Sequence, residues 1–219
     1  MRNIQLRAGH IRTQMRGVTL VEMMIAILVL AVGLLGMAGL QAATSKYKIN
    51  TWARASTATL LSDLTEKIRI NPFMAGPGFT DPLLADQPST LSKFVVADDW
   101  SKQQADALSV STNCAANACT ESERAAYDLV IWRQNVRALL PQGAAMIEGG
   151  RATGVLLTLM WFDKEQAAAT ASSDPLARKL EKAPICSSNT PVGMAEQSCC
   201  PEKAAAPAGV KCARFRFVP

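Results

Sequence analysis

From Val18 the chain stays almost wholly apolar as far as Leu40, and Glu22 is the only charged residue in that run. As a helix rising 1.5 Å per residue these positions span roughly 35 Å, enough to cross a bilayer core. An ionised carboxylate in hydrocarbon costs several kcal/mol, so Glu22 calls for a job or a partner. The pattern then narrows to a stripe. Ile49, Ala53, Ser56, Leu60, Leu64 and Ile68 recur at spacings of three or four, with Lys46, Lys48, Arg54, Asp63, Glu66 and Lys67 around them. One helix from Val18 to about Ile70 is predicted, ended by Asn71-Pro72 because a residue before proline is pushed out of helical geometry. Its first half is open to lipid or neighbouring subunits, whereas its second half needs a globular domain over one face. Gly33, Gly36 and Gly39 fall loosely on one side of the first half, where they permit close helix packing or are simply tolerated.

Beyond the helix the signals shorten. Pro72, Gly76, Pro77, Gly78, Pro82 and Pro88 mark loops, followed by a short helix from about Asp98 to Leu108. Thr120-Glu121-Ser122-Glu123 has the form of a capping box and predicts a helix start, with Leu129, Trp132, Val136 and Leu139 on its buried face and Pro141 closing it. Ala144–Glu148, a Gly149-Gly150 turn and Thr153–Phe162 then read as a hairpin. In the returning strand Val155, Leu157, Leu159 and Trp161 form the face expected to pack on the long helix, and Leu156, Thr158, Met160 and Phe162 form the other. Lys164–Ser173 reads as an exposed Ala-rich excursion, Asp174-Pro175 as the cap of a short helix through Lys182, and Pro201–Gly209 as irregular. Ala213–Val218 alternates as a final strand with Phe215 and Phe217 inward. The expected class is α+β: a long N-terminal helix on a small antiparallel sheet, with an extra helix and disulfide-stapled loops.

Charge changes the picture little. The net charge of +5 includes Arg2, Arg7, Arg12 and Arg16, which stand in an acid-free segment through Gly17. Without those four, 19 basic residues face 18 acidic ones, so the excess reads as a cytoplasmic leader rather than a nucleic-acid surface. The single histidine, His10, lies in the same segment, so the rest of the chain has no Ser-His or Cys-His pair. Asp81, Asp86, Asp98 and Asp99 match no EF-hand spacing and read as solvated turn residues, and no metal or cofactor is assigned. Cys114, Cys119, Cys186, Cys199, Cys200 and Cys212 all lie in the later part of the chain and read as three disulfides of an exported domain. Cys114 and Cys119 are expected to pair. Adjacent Cys199 and Cys200 favour separate bonds to Cys186 and Cys212, in an order that spacing leaves open.

At Arg16-Gly17-Val18-Thr19-Leu20-Val21-Glu22 the chain resembles the type IV pilin family. The resemblance implies a leader over residues 1–17 cut after Gly17 by prepilin peptidase, N-methylation of Val18, and an assembly role for Glu22 as fifth mature residue. It also implies a pilin-like fold, a membrane and filament-core segment over 18–43, and a periplasmic domain over 44–219. Val18 stands where major pilins usually have Phe, and Gly39 where many carry a helix-bending Pro, which favours a minor subunit. The run Leu28–Gln41 looks like the PilV-type minor pilins, also called type IV pilus modification proteins. More loosely, so do Trp132, Leu139–Gly143 and Thr158–Asp163.

The implied function is non-enzymatic: a minor pilin acting in pilus assembly or priming. Its implied partners are prepilin peptidase, other major and minor pilins through the N-terminal helix, and the inner membrane, where the chain is single-pass before it joins a cell-surface pilus. Nucleic acid is not expected as a partner. An ordinary signal peptide cut near Ala42 or Ala43 gives Glu22 no reason, and an uncleaved anchor explains neither Gly17 nor Glu22. Two alternatives remain, a minor pseudopilin of a type II secretion system and a tip-displayed adhesin or DNA-binding module.

Overall fold

Asn71 and Pro72 end the first helix where the sequence predicts. In the computed structural model, which describes residues 17–76, 92–169, 178–187 and 193–219, α1 runs Leu20–Ile70 and passes into a 3-10 turn at Pro72–Ala75. There follow α2 (Trp100–Ala105), α3 (Glu121–Leu139), β1 (Ala144–Gly150), β2 (Gly154–Phe162), β3 (Ala167–Ala169), β4 (Arg178–Leu180), α4 (Met194–Ser198), a second 3-10 turn (Glu202–Ala204) and β5 (Val210–Phe217). The prolines and glycine expected to break the chain at Pro77, Gly78, Pro82 and Pro88 lie outside the described residues, as do Asp81 and Asp86.

The chain divides into two compact units, residues 1–48 and 49–219. In the first, the large apolar side chains of α1 from Leu20 to Leu40 are exposed. In the second, α1 buries Ala53, Ser56, Leu60, Leu64 and Ile68, five positions of the predicted stripe; the side chain of Ile49 lies outside the description.

That stripe packs into one core with Trp132 and Val136 of α3 and with Val155, Leu157, Leu159 and Trp161 of β2. Thr120 caps α3 as expected, its hydroxyl accepting the Glu123 N–H while Glu123 reaches back to the Thr120 N–H. The sheet is antiparallel in the order β1-β2-β5, so the pilin-like α+β architecture is a long N-terminal helix, a small antiparallel sheet and extra helices. Phe215 and Phe217 lie half-buried against the α1 core. The opposite sheet face carries Met146, Met160, Val210 and Cys212, which form a second core with Trp100, Cys200 and Ala204.

Gln103 of α2 is buried and supports that second layer. Its amide donates to the Asp98 carbonyl at 2.7 Å and accepts the Ala145 N–H at 3.0 Å. Asp99 caps α2 by accepting the Lys102 N–H at 2.8 Å, and the helix stops at Ala105, short of the expected Leu108, because Asp106 turns to extended backbone.

Four local expectations are corrected. The Gly149-Gly150 pair is not the hairpin turn: both residues stay in β1, Gly150 pairs with Gly154, and the turn is Arg151–Thr153. The glycines serve close approach instead, since a Cβ on Gly150 would come within 2.7 Å of the Ala75 carbonyl oxygen. The Ala-rich excursion holds a strand, because Ala167–Ala169 pairs with Arg178–Leu180 and backbone pairing overrides alanine's helical preference. The helix expected through Lys182 is therefore absent at Arg178–Leu180, while its cap Asp174-Pro175 lies outside the described residues. Finally, the irregular stretch after Pro201 contains the 3-10 turn at Glu202–Ala204.

The structure joins Cys114 to Cys119, Cys186 to Cys199 and Cys200 to Cys212. The adjacent cysteines thus belong to different bonds. Cys200–Cys212 fixes the C-terminal loop onto β5 inside the second core.

Candidate processing and assembly site

Gly17, Val18 and Thr19 precede the helix without regular structure, and all three are exposed. Helix begins at Leu20 because Thr19 caps it. The Thr19 hydroxyl accepts the Glu22 N–H at 3.3 Å, and the Thr19 carbonyl accepts the Met23 N–H at 3.2 Å. Thr19-Leu20-Val21-Glu22 repeats the S/T-x-x-E spacing of Thr120–Glu123, and that spacing is the signal by which Thr19 could have been found.

Capping has two consequences. The Gly17–Val18 peptide bond stays outside the helix, in solvent-facing chain without regular structure that an enzyme's cleft can reach. Glu22 is placed in the first turn, where unpaired N–H groups make a carboxylate favourable by about 0.3–1 kcal/mol. That gain is smaller than the cost of carrying the charge into lipid, so the helix end alone does not account for the acid.

Gly17 has open space around it: a Cβ there would meet nothing within 4 Å. Among the described residues nothing demands glycine at this position. Gly33, Gly36 and Gly39 are equally open and pack against none of the described residues.

Leu20–Ser45 is long and apolar enough to cross a membrane. Where polarity returns near its end, the hydroxyls of Thr44 and Ser45 donate to the Gln41 carbonyl at 3.0 and 2.9 Å, which satisfies them within the helix. Arg2, Arg7, Arg12, Arg16 and His10 lie outside the described residues. The structure thus gathers Gly17, Val18 and Glu22 at one helix start, and leaves the six cysteines as staples of the second unit. Among the described residues no group of three or more His, Cys, Asp or Glu could hold a metal ion.

Residues 12–38 match the prokaryotic N-terminal methylation motif, which spans the end of the basic segment from Arg12, the Gly17–Val18 bond, the Thr19 cap, Glu22 and most of the apolar run. Comparison with curated proteins and with solved structures finds no match. The motif match supports a type IV pilin-like protein, a structural subunit with an N-terminal membrane helix.

Proposed function

We propose that this chain is a minor pilin of a type IV pilus, of the PilV type, made as a precursor and built into a filament or its priming complex. The observation that carries the reading is the capped helix start inside the methylation motif, with an exposed Gly17–Val18 bond ahead of the helix and Glu22 as the one charge in a 26-residue apolar span. In this reading residues 1–17 are the leader, 18–43 the membrane and filament-core segment, and 44–219 the periplasmic domain. Prepilin peptidase cuts after Gly17 and the new N-terminus on Val18 is methylated.

Cleavage creates an α-amino cation two residues ahead of the helix. A cation there opposes the helix dipole and seeks a carboxylate. Glu22 of an adjacent subunit supplies one as the chain leaves the inner membrane and packs against its neighbours. In apolar surroundings such a pair is costly to break, by about 3–5 kcal/mol when one partner is removed. The resemblance of Val18 and Gly39 to minor rather than major subunits supports the finer assignment.

The test is the mass and N-terminal sequence of the mature protein, followed by Glu22→Ala. The variant should be cut and stay in the membrane, yet be depleted from sheared pili. Normal recovery of Glu22→Ala in pili removes the assembly role. A bulky residue at Gly17 should leave the leader attached. Location of the mature chain in a secretion pseudopilus, rather than in surface pili, would instead favour the type II secretion reading.

A further inference from the structure

Among the described residues strand β5 forms one edge of its sheet. The Phe162 N–H points away from β5, to the Pro141 carbonyl at 2.9 Å. Peptide groups alternate in direction along an antiparallel ladder. With Trp161 opposite Lys211 and Phe162 opposite Val210, the backbone groups of Lys211, Ala213, Phe215 and Phe217 point into the ladder. Those of Cys212, Arg214 and Arg216 point outward, and none of the three has a backbone hydrogen-bond partner among the described residues.

A groove of about 380 Å³ runs beside this edge. Arg54 and Thr57 of α1 form one wall, Gln197 and Ser198 of α4 the other, and Trp161 and Phe215 give it an apolar floor. Arg54, Lys211 and Arg214 line it, and among the described residues no Asp or Glu does. Lys211 is neutralised by Asp163 at 2.7 Å. Arg54 is exposed and has no ion pair among the described residues. Arg214 donates to the Glu196 carbonyl at 3.3 Å and to the Cys199 sulfur at 3.4 Å, and has no ion pair among the described residues.

We propose that the β5 edge is a strand-docking surface that receives an extended, acidic segment of a neighbouring pilin-type subunit. The outward peptide groups of Cys212, Arg214 and Arg216 supply main-chain hydrogen bonds, and the arginines choose among strands by charge. Arginine on an edge normally repels indiscriminate pairing; against a carboxylate-bearing strand the same side chains attract. The proposal rests on the reading of the chain as a filament subunit, because a filament brings such a neighbour within reach.

The test uses the full chain in producing cells, with the photoreactive residue benzoylphenylalanine at Gln197. Illumination should give a covalent product with another subunit that carries a prepilin-type N-terminus, and the cross-linked peptide should contain Asp or Glu. Arg216→Pro removes an outward N–H and leaves the ladder to β2 complete, so it should lower the yield about tenfold, beyond the loss in the charge-only control Arg216→Gln. Arg54→Glu, on an exposed helix position, should lower it too and serves if Arg216→Pro fails to form its three disulfides. The proposal is overturned by no product, by products only with this chain itself, lipid, nucleic acid or a protein lacking the motif, or by yields that neither Arg216→Pro nor Arg54→Glu changes. The N-terminal mass of the same samples separates the two ideas: an uncut wild-type chain removes the pilin reading, whereas normal cutting without a product removes strand docking alone.

Discussion

The indole N–H of Trp132 donates to the carbonyl oxygen of Leu60 at 2.8 Å, with both side chains fully buried, so α3 is tied to α1 at the centre of the first core. A deleted ring leaves a cavity, whereas a deleted N–H leaves only a lost hydrogen bond. Trp132→Phe should cost about 1–2 kcal/mol and Trp132→Ala about 3–5 kcal/mol. Denaturant unfolding of the full chain in detergent checks this, and equal losses for the two variants would show that the hydrogen bond contributes little.

The α3 start should carry an acid-sensitive share of stability. The Thr120 N–H and hydroxyl donate to the Glu123 carboxylate at 2.9 and 2.8 Å and hold its pKa below the ordinary range. Asp106 is lowered likewise, first by the Leu108 N–H and then by the charge of Arg133. Both pKa values are depressed on folding, so the unfolded chain binds more protons and stability rises with pH in that window. The contribution is present at neutral pH and lost as pH falls through the folded values. Melting temperatures of wild type and Glu123→Gln, compared from about pH 7 down to about pH 3, should converge toward the acid end. Thr120→Ala should cost about 0.5–2 kcal/mol at neutral pH.

Gly143 should tolerate no side chain. A Cβ there would collide with the Val136 carbonyl and touch the Leu140 side chain, in the turn that carries α3 into β1. Gly143→Ala is expected to destabilise by about 2 kcal/mol or more, in the range of overpacked cores. The exposed control Gly36→Ala meets no neighbour and should leave the unfolding of the domain unchanged.

Two of the three disulfides should differ in weight. Cys114–Cys119 closes a short loop, with a separation of 5, whereas Cys200–Cys212 has a separation of 12 and lies in the second core. Chain entropy gives about 2 kcal/mol for the first and about 3 kcal/mol for the second, before the packing around Cys200 and Cys212 is counted. Paired Cys→Ser variants should therefore show the larger fall in melting temperature for Cys200 with Cys212. The opposite order would place the main stabilisation in the loop before α3.

Much of the fold was legible because its signals are local. The stripe from Ala53 to Ile68, the Thr120–Glu123 box and the alternation of Val155–Trp161 each need only neighbours in sequence, and each stands in the structure where it was read. The turn at Arg151–Thr153, the pairing of Ala167–Ala169 with Arg178–Leu180 and the helix at Met194–Ser198 depend on distant partners, which composition does not encode. At the candidate site, Gly17, Val18 and Glu22 were picked out by the family resemblance of their motif, and the structure sets them together at the start of α1. Thr19 was not singled out, because its apolar followers suit a membrane span as well as a capped helix. The β5 edge was invisible to pattern, since which strand lies outermost is decided by sheet order.

The bond from Cys200 to Cys212 also imposes an order in time. β5 is the most C-terminal strand, and it supplies Phe215 and Phe217 to one core and Val210 and Cys212 to the other. A chain synthesised from its N-terminus presents β2 long before β5 arrives, so the half-made domain must wait with one side of its central strand bare. During that wait it is open to mispairing, and the last staple can close only when Cys212 has emerged. Completion of that bond is thus a molecular receipt that the last strand has been delivered.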